Sequence, residues 1–199
     1  MQFSEVLRRR RMVRNFTADP VDPLVVRRLV ERARRAPSAG HAQGTAFVAL
    51  QGDDETSRYW DVTLPEPRRA GFRWPGLVRA PVLVVVLVSP DAYVGRYGEP
   101  DKQASGLGTA PEAWAVPYWH VDGGMAVMAL LLGCVDAGLG ACFFGLFEHE
   151  PAVLATLGVP EGWRAVGTVA LGHPAPDTPG RSANRPRRPL DDVLHLGRW

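Results

Sequence analysis

The side chains with the most chemistry to offer in this chain are its arginines. One run, Arg8-Arg9-Arg10-Arg11, is followed closely by Arg14, and a second group, Arg185, Arg187 and Arg188, stands among prolines near the other end. Guanidinium groups give forked, charge-assisted hydrogen bonds to oxyanions, so such clusters suit either an anionic ligand or a solvated basic face. A polar loop, Ser38 to Gly44, carries His41 and Gln43 just after Pro37. No nucleophile stands with a paired base, no HExxH or acidic metal constellation occurs, and no Gly-x-Gly-x-x-Gly follows a strand. Acyl transfer, metal hydrolysis and a dinucleotide-binding Rossmann unit therefore lack support. Cys134 and Cys142, the only cysteines, have neither CxxC spacing nor the nearby histidines of a zinc site.

The elements that must position these groups belong to one domain spanning residues 1–199. With 46% hydrophobic and 22% charged residues the composition is that of a soluble globular protein. A chain of this length buries roughly 70% of its unfolded surface without help from disulfides or metals. The formal net charge of +2 is too small to imply a polyanionic partner. A nucleic-acid-binding module is the remote alternative, and no recognition-helix or RNP pattern supports it. No apolar leader precedes Arg8, so a cytoplasmic, reduced setting is expected. The longest charge-free apolar segment, Gly123 to Val135, falls short of the ~20 residues of a membrane span and reads as a buried helix.

Ser4 and Glu5 predict a short helix with Phe3, Val6 and Leu7 on one side. Asp22 and Pro23 make an N-cap and N1 pair for a second helix, with Val25, Leu29 and Ala33 at helical spacing, which must stop before Pro37. A strand follows at Ala46 to Gln51, then a short helix near Glu55 to Tyr59 amid irregular chain. The uninterrupted run Ala80 to Val88, closed by Ser89-Pro90, predicts a central strand covered on both faces. Residues 91–119, rich in Gly, Pro and aromatics, predict a lid over a site. Asp122 then caps the all-apolar helix, which is expected to be enclosed on every side. Strands at Ala141 to Phe144 and Ala165 to Leu171 flank a short helix around Pro151 to Leu157. The Pro- and Arg-rich tail, 174–199, cannot pack on its own. This order predicts an α+β layered fold, with a mixed, mainly antiparallel sheet packed by helices around a buried central helix.

Four stretches resemble the nitroreductase-like FMN-dependent oxidoreductases. They are Arg10-Arg11-Met12-Val13-Arg14-Asn15-Phe16, Ala36-Pro37-Ser38-Ala39-Gly40-His41-Ala42-Gln43, Gly138-Leu139-Gly140-Ala141-Cys142-Phe143-Phe144-Gly145, and Leu171-Gly172-His173-Pro174-Ala175 with Arg185-Pro186-Arg187-Arg188-Pro189. The likeness runs over nearly the whole chain. It implies an intertwined homodimer with shared FMN sites, reduced by NAD(P)H and reoxidised by an electron-poor small molecule such as a nitroaromatic or quinone. Under it Arg10, Arg14, Arg185 and Arg187, with Arg11 or Arg188 assisting, hold the phosphate. Pro37, Ser38, His41 and Gln43 face the ribityl chain and pyrimidine, and the backbone of Phe144 and Gly145 reaches the flavin N5 and O4 region. Phe72, Trp74, Trp114, Tyr118 and Trp119 become candidates for the acceptor pocket, although such residues serve equally as core or interface.

The sequence departs from the family pattern in three places. The family usually has Ser where Met12 stands, Asn where His41 stands, and Pro-Trp where Gly44-Thr45 stand. These departures motivate an alternative, a relative that binds a deazaflavin or carries out a specific biosynthetic oxidation or flavin breakdown.

Overall fold

Seven consecutive residues, Val82–Val88, are buried without exception, and the molecule is built around them. The computed structural model describes residues 1–176, 180 and 184–199. Its elements run α1 (Phe3–Arg9), α2 (Pro23–Ala33), β1 (Thr45–Gln51), α3 (Asp53–Thr63), α4 (Glu66–Arg69), α5 (Pro75–Val78), β2 (Val82–Val88), α6 (Pro90–Tyr97), α7 (Tyr118–Asp136), β3 (Gly140–Phe144), α8 (Glu150–Thr156) and β4 (Arg164–Gly172). The four strands form one sheet in the order β1-β2-β4-β3, with every neighbouring pair antiparallel. This is the α+β layered architecture predicted.

Because side chains alternate across a strand, β2 feeds two cores at once. Val82, Val84 and Val86 pack with α2 and α7, through Leu29, Leu130 and Cys134 among others. Leu83, Val85 and Leu87 pack on the other face with Tyr59 and Trp60 of α3, Leu77 of α5 and Val153 of α8. Cover on both sides removes the need for polar alternation, which is why the strand reads as a continuous apolar run.

Local chemistry sets several element ends as expected. The Asp22 carboxylate accepts the Leu24 N–H at 2.8 Å, with Pro23 at the first position of α2. Elsewhere the structure corrects the sequence reading. Helix α3 spans Asp53–Thr63, twice the predicted stretch, since its period was masked by the acidic first turn. In α1 only Val6 is buried, and Phe3 and Leu7 lie exposed. The helix starts at Phe3 behind Gln2, with no side-chain cap from Ser4. Helix α7 begins at Tyr118 after Pro117, so Asp122 lies inside it rather than capping it. At 19 residues α7 is long and apolar enough to cross a membrane by length and composition, and half of its most apolar window is buried within the fold. Nor is it enclosed on every side: Val121, Met125 and Met128, spaced along one stripe, are 37%, 40% and 39% exposed. Uniform apolarity does not distinguish a core face from an interface face.

The two-sided core makes a stability prediction. Leu130, fully buried between α2 and the sheet, should on substitution by Ala lower the unfolding free energy by about 2–5 kcal/mol. Val116→Ala, at a half-exposed position, should change it by less than about 0.5 kcal/mol. Urea titrations of the two variants check the contrast.

Candidate functional site

After α1 the chain runs extended beside β3. Met12 makes a parallel bridge to Ala141, the Val13 N–H donates to the Ala141 carbonyl at 2.9 Å, and the Phe143 N–H reaches the Met12 sulfur at 3.4 Å. The arginine segment is thereby fastened to the sheet edge. Its side chains then divide. Arg10 and Arg11 line a cleft of about 550 Å³ floored by Leu131 and Gly138–Ala141, whereas Arg14 opens on a different cleft and stands over the Trp74 ring at 5.4 Å. Arg8 and Arg9 line that first cleft as well, and both bind Glu5, whose carboxyl is held below its ordinary range by the Arg8 hydrogen bonds first and Arg9 second.

The cleft at Arg14 has a volume of about 350 Å³ and mostly aromatic walls. Phe72 and Trp74, predicted for the acceptor pocket, share it with Phe144 and Gly145, predicted for the flavin. Trp60 stacks on Phe144 with ring centroids 5.9 Å apart and planes 16° off parallel, and Tyr59 meets Trp60 edge-on at 5.2 Å. Thr168 Oγ1 donates to the Tyr59 hydroxyl at 3.0 Å, and burial pushes the Tyr59 phenol up to about 12. Such walls suit a flat, apolar ring, with a guanidinium at the rim to meet an anion.

A third cleft, about 710 Å³, is fronted by Pro37, Ser38, His41 and Gln43, as predicted for one loop. Gly40, His41 and Gln43 all adopt left-handed backbone, with φ of 59°, 58° and 52°. The same cleft contains a residue that sequence reasoning assigned to a helix cap. Asp122, 4% exposed, accepts from the Ala39 N–H at 2.8 Å and from the Tyr93 hydroxyl at 2.7 Å. Arg96 Nε donates to the Gly40 carbonyl at 2.8 Å. The signal available for Asp122 was an acid standing immediately before the uncharged run Gly123 to Val135. For Arg96 there was none, because its partner is a backbone carbonyl in another segment.

The predicted lid is a packed buttress instead. Trp114 and Trp119 are buried with Tyr93 against Val88, and the Trp114 indole N–H donates to the Leu107 carbonyl at 2.9 Å. Neither lines the three clefts, and Tyr118, 44% exposed, does not either. Aromatics left over after the sheet is covered build a third core under residues 90–119. Of the tail, the stretches 177–179 and 181–183 lie outside the described residues. Gly180 lies beside Arg14, close enough that a Cβ there would come within 3.5 Å of its guanidinium. Arg185, Arg187 and Arg188 are exposed, and Arg188 donates to the Asp192 carbonyl. None of the three lines the arginine clefts of its own chain. Among the described residues no group of His, Cys, Asp or Glu is arranged to hold a metal.

An antiparallel sheet with a helix packed on it is thus edged by an extended arginine-bearing segment and fronted by a left-handed polar loop. Residues 7–173 match the nitroreductase family, and the chain belongs to that family. It is 31% identical over 183 residues to a 5,6-dimethylbenzimidazole synthase from Rhodospirillum rubrum, covering 85% of this chain and 81% of the relative. It is also 31% identical over 186 residues to an NADH dehydrogenase from Thermus thermophilus, covering 84% of each. A structure from Desulfovibrio desulfuricans, described as a nitroreductase in complex with FMN, superposes with a TM-score of 0.68 at 25% identity, covering 98% of this chain and 95% of the other.

Burial of Tyr59 gives stability a pH dependence. Its folded pKa lies above the ordinary value of 10.0, so the neutral phenol's contribution is whole below pH 10 and is lost as pH rises toward about 12. Tyr59→Phe should be less stable near neutrality, because Thr168 loses its partner, and the gap to the native chain should close between pH 10 and 12. Unfolding midpoints measured across that range test this.

Proposed function

We propose that this chain binds FMN in a site shared by two copies and uses it as an oxidoreductase, taking electrons from NAD(P)H and passing them to an electron-poor small molecule such as a nitroaromatic or quinone. The observation that carries the reading is the cleft where the Arg14 guanidinium, the Phe144–Gly145 backbone and the Trp60, Phe72 and Trp74 rings meet. FMN presents a dianionic phosphate, a polar pyrimidine edge and an apolar ring system, and the donor set of this chain fits each. Arg10 and Arg14, joined by Arg185 and Arg187, are assigned to the phosphate, with Arg11 and Arg188 at its margin. Met12 ends in a thioether and so offers no hydroxyl donor there, and its sulfur accepts the Phe143 N–H. Ser38, His41 and Gln43 are assigned to the polar edge. The backbone of Phe144 and Gly145 is assigned to the place where negative charge builds up on reduction. When bound, the cofactor supplies the hydride and electron chemistry, and the protein supplies position, dryness and charge.

Two copies are invoked because one chain divides the assigned residues among separate clefts. Three further features support association. One is the exposed stripe of α7. Another is the tail, whose Leu190, Val193, Leu194, Leu196 and Trp199 are all at least half exposed. The last is β1, which forms an edge of the sheet among the described residues and runs beside a groove of about 500 Å³ that holds Leu24, Val30 and Phe47. Apolar surface on this scale asks for cover. A second reading, a specific biosynthetic oxidation, is favoured by Met12 and by the likeness to the 5,6-dimethylbenzimidazole synthase.

An absorbance spectrum of the purified protein, before and after NAD(P)H, tests the first reading. It should show a flavin that is released as FMN and is bleached by the nicotinamide, with colour returning on addition of a quinone. Bleaching by neither nicotinamide would leave the second reading. Arg14→Ala should weaken FMN binding by about ten- to a hundredfold, the range set by hydrogen bonds to charged groups, while riboflavin binding stays nearly unchanged. Sedimentation should show a dimer that loses flavin when it is split.

A further inference from the structure

The loop that fronts the 710 Å³ cleft holds three residues, Gly40, His41 and Gln43, in left-handed backbone. His41 and Gln43 carry side chains at φ of 58° and 52°, where an L-residue is disfavoured by roughly 1–2 kcal/mol. Such a conformation persists only where its surroundings dictate it. Within the loop, Ser38 Oγ accepts the Gln43 N–H at 2.8 Å and the His41 N–H returns to the Ser38 carbonyl at 2.8 Å. The remaining ties come from outside. Asp122 takes the Ala39 N–H, Arg96 takes the Gly40 carbonyl, and the Tyr97 ring lies so near Gly40 that a Cβ there would meet it at 2.7 Å.

Asp122 is the costly member of this set. A carboxyl group buried in the second turn of α7 loses its hydration, and an apolar residue would pack there at lower cost unless the polar group had a task. Both donors that reach Asp122, the Ala39 N–H and the Tyr93 hydroxyl, converge on one oxygen, Oδ2. Tyr93 is in turn locked edge-on between Trp114 and Trp119, with centroids 5.9 and 6.1 Å away. The excursion 90–119 is thus coupled to the first residues of the loop through the Tyr93 hydroxyl and Asp122, in addition to the Arg96 and Tyr97 contacts with Gly40.

We propose that Asp122 and Tyr93 are positioning residues of the flavin site. They fix the entry of loop 38–43 so that Ser38, His41 and Gln43 present their polar atoms to the cleft in one arrangement. The inference rests on the FMN reading above. It assigns to the buried pair the preorganisation of the ring-edge contacts, not of the phosphate contacts.

Tyr93→Phe removes one donor while keeping the ring in its aromatic cluster. Asp122→Asn keeps an acceptor without the charge, and Asp122→Leu removes both. Dissociation constants for FMN and for riboflavin, the midpoint potential of the bound flavin, and the thermal midpoint are measured for the native protein and the three variants. Asp122→Leu should weaken both flavins equally, by about tenfold or more, with Asn partly restoring binding. The midpoint potential should shift in Tyr93→Phe and Asp122→Leu. A lower thermal midpoint with unchanged flavin affinity and potential would overturn the proposal, as would a loss confined to FMN. If Asp122→Leu does not fold, Tyr93→Phe decides. A native protein that binds neither flavin overturns the FMN reading and this one together, whereas native binding matched by all the variants overturns only the positioning role.

Discussion

The structure depends on one constraint, a central strand with no solvent face. Once Val82–Val88 are buried on both sides, a layer must form above the sheet and another below it. Helices α2 and α7 supply one, and α3, α5 and α8 supply the other. The three clefts lie where this cover ends. One is at the seam between the arginine segment and β3, one is among the aromatic residues beyond Phe144, and one is where α7 meets the loop after α2. A core that needs two lids leaves gaps at its margins, and the polar groups of this chain are gathered in those gaps.

Much of this was legible from single residues. The Val82–Val88 run announced its two-sided burial, and Asp22-Pro23 announced the start of α2, because each signal is local. The family could be read because its motifs are short, ordered and carried by backbone-determining residues. Asp122 shows where that legibility ends. A carboxylate ahead of an apolar run looks the same whether it caps a helix or accepts from a loop far away in sequence, and only the packed partner Ala39 decides. The excursion 91–119 failed for a related reason. Glycine, proline and tryptophan compose a lid and a satellite core alike, and what separates them is whether Trp114 and Trp119 find Tyr93 and Val88.

The division of the arginines has a similar source. Residues three apart along an extended segment point to opposite sides, which parts Arg11 from Arg14, whereas Arg10 stands at the end of α1 and shares the cleft of Arg11. Met12 reinforces the separation. Its thioether faces the sheet and satisfies the Phe143 N–H, an edge donor that otherwise has to find another acceptor. The segment thus acts as a partial fifth strand, and its guanidiniums are presented by that strand's geometry.

The left-handed backbone at His41 bears on how this lineage is free to vary. Asn and Asp occupy that region several-fold more readily than most side chains, and Gly without strain, whereas β-branched residues are nearly excluded. The family's usual Asn at this position therefore reads as a conformational choice as well as a chemical one. His is among the few other residues enriched there, and it exchanges a carboxamide for an imidazole without disturbing the main chain. The turn acts as a filter on mutation, passing only a handful of side chains to the edge of the cleft. Diversification of activity at this corner of the fold would then proceed by discrete exchanges among that handful rather than by gradual drift.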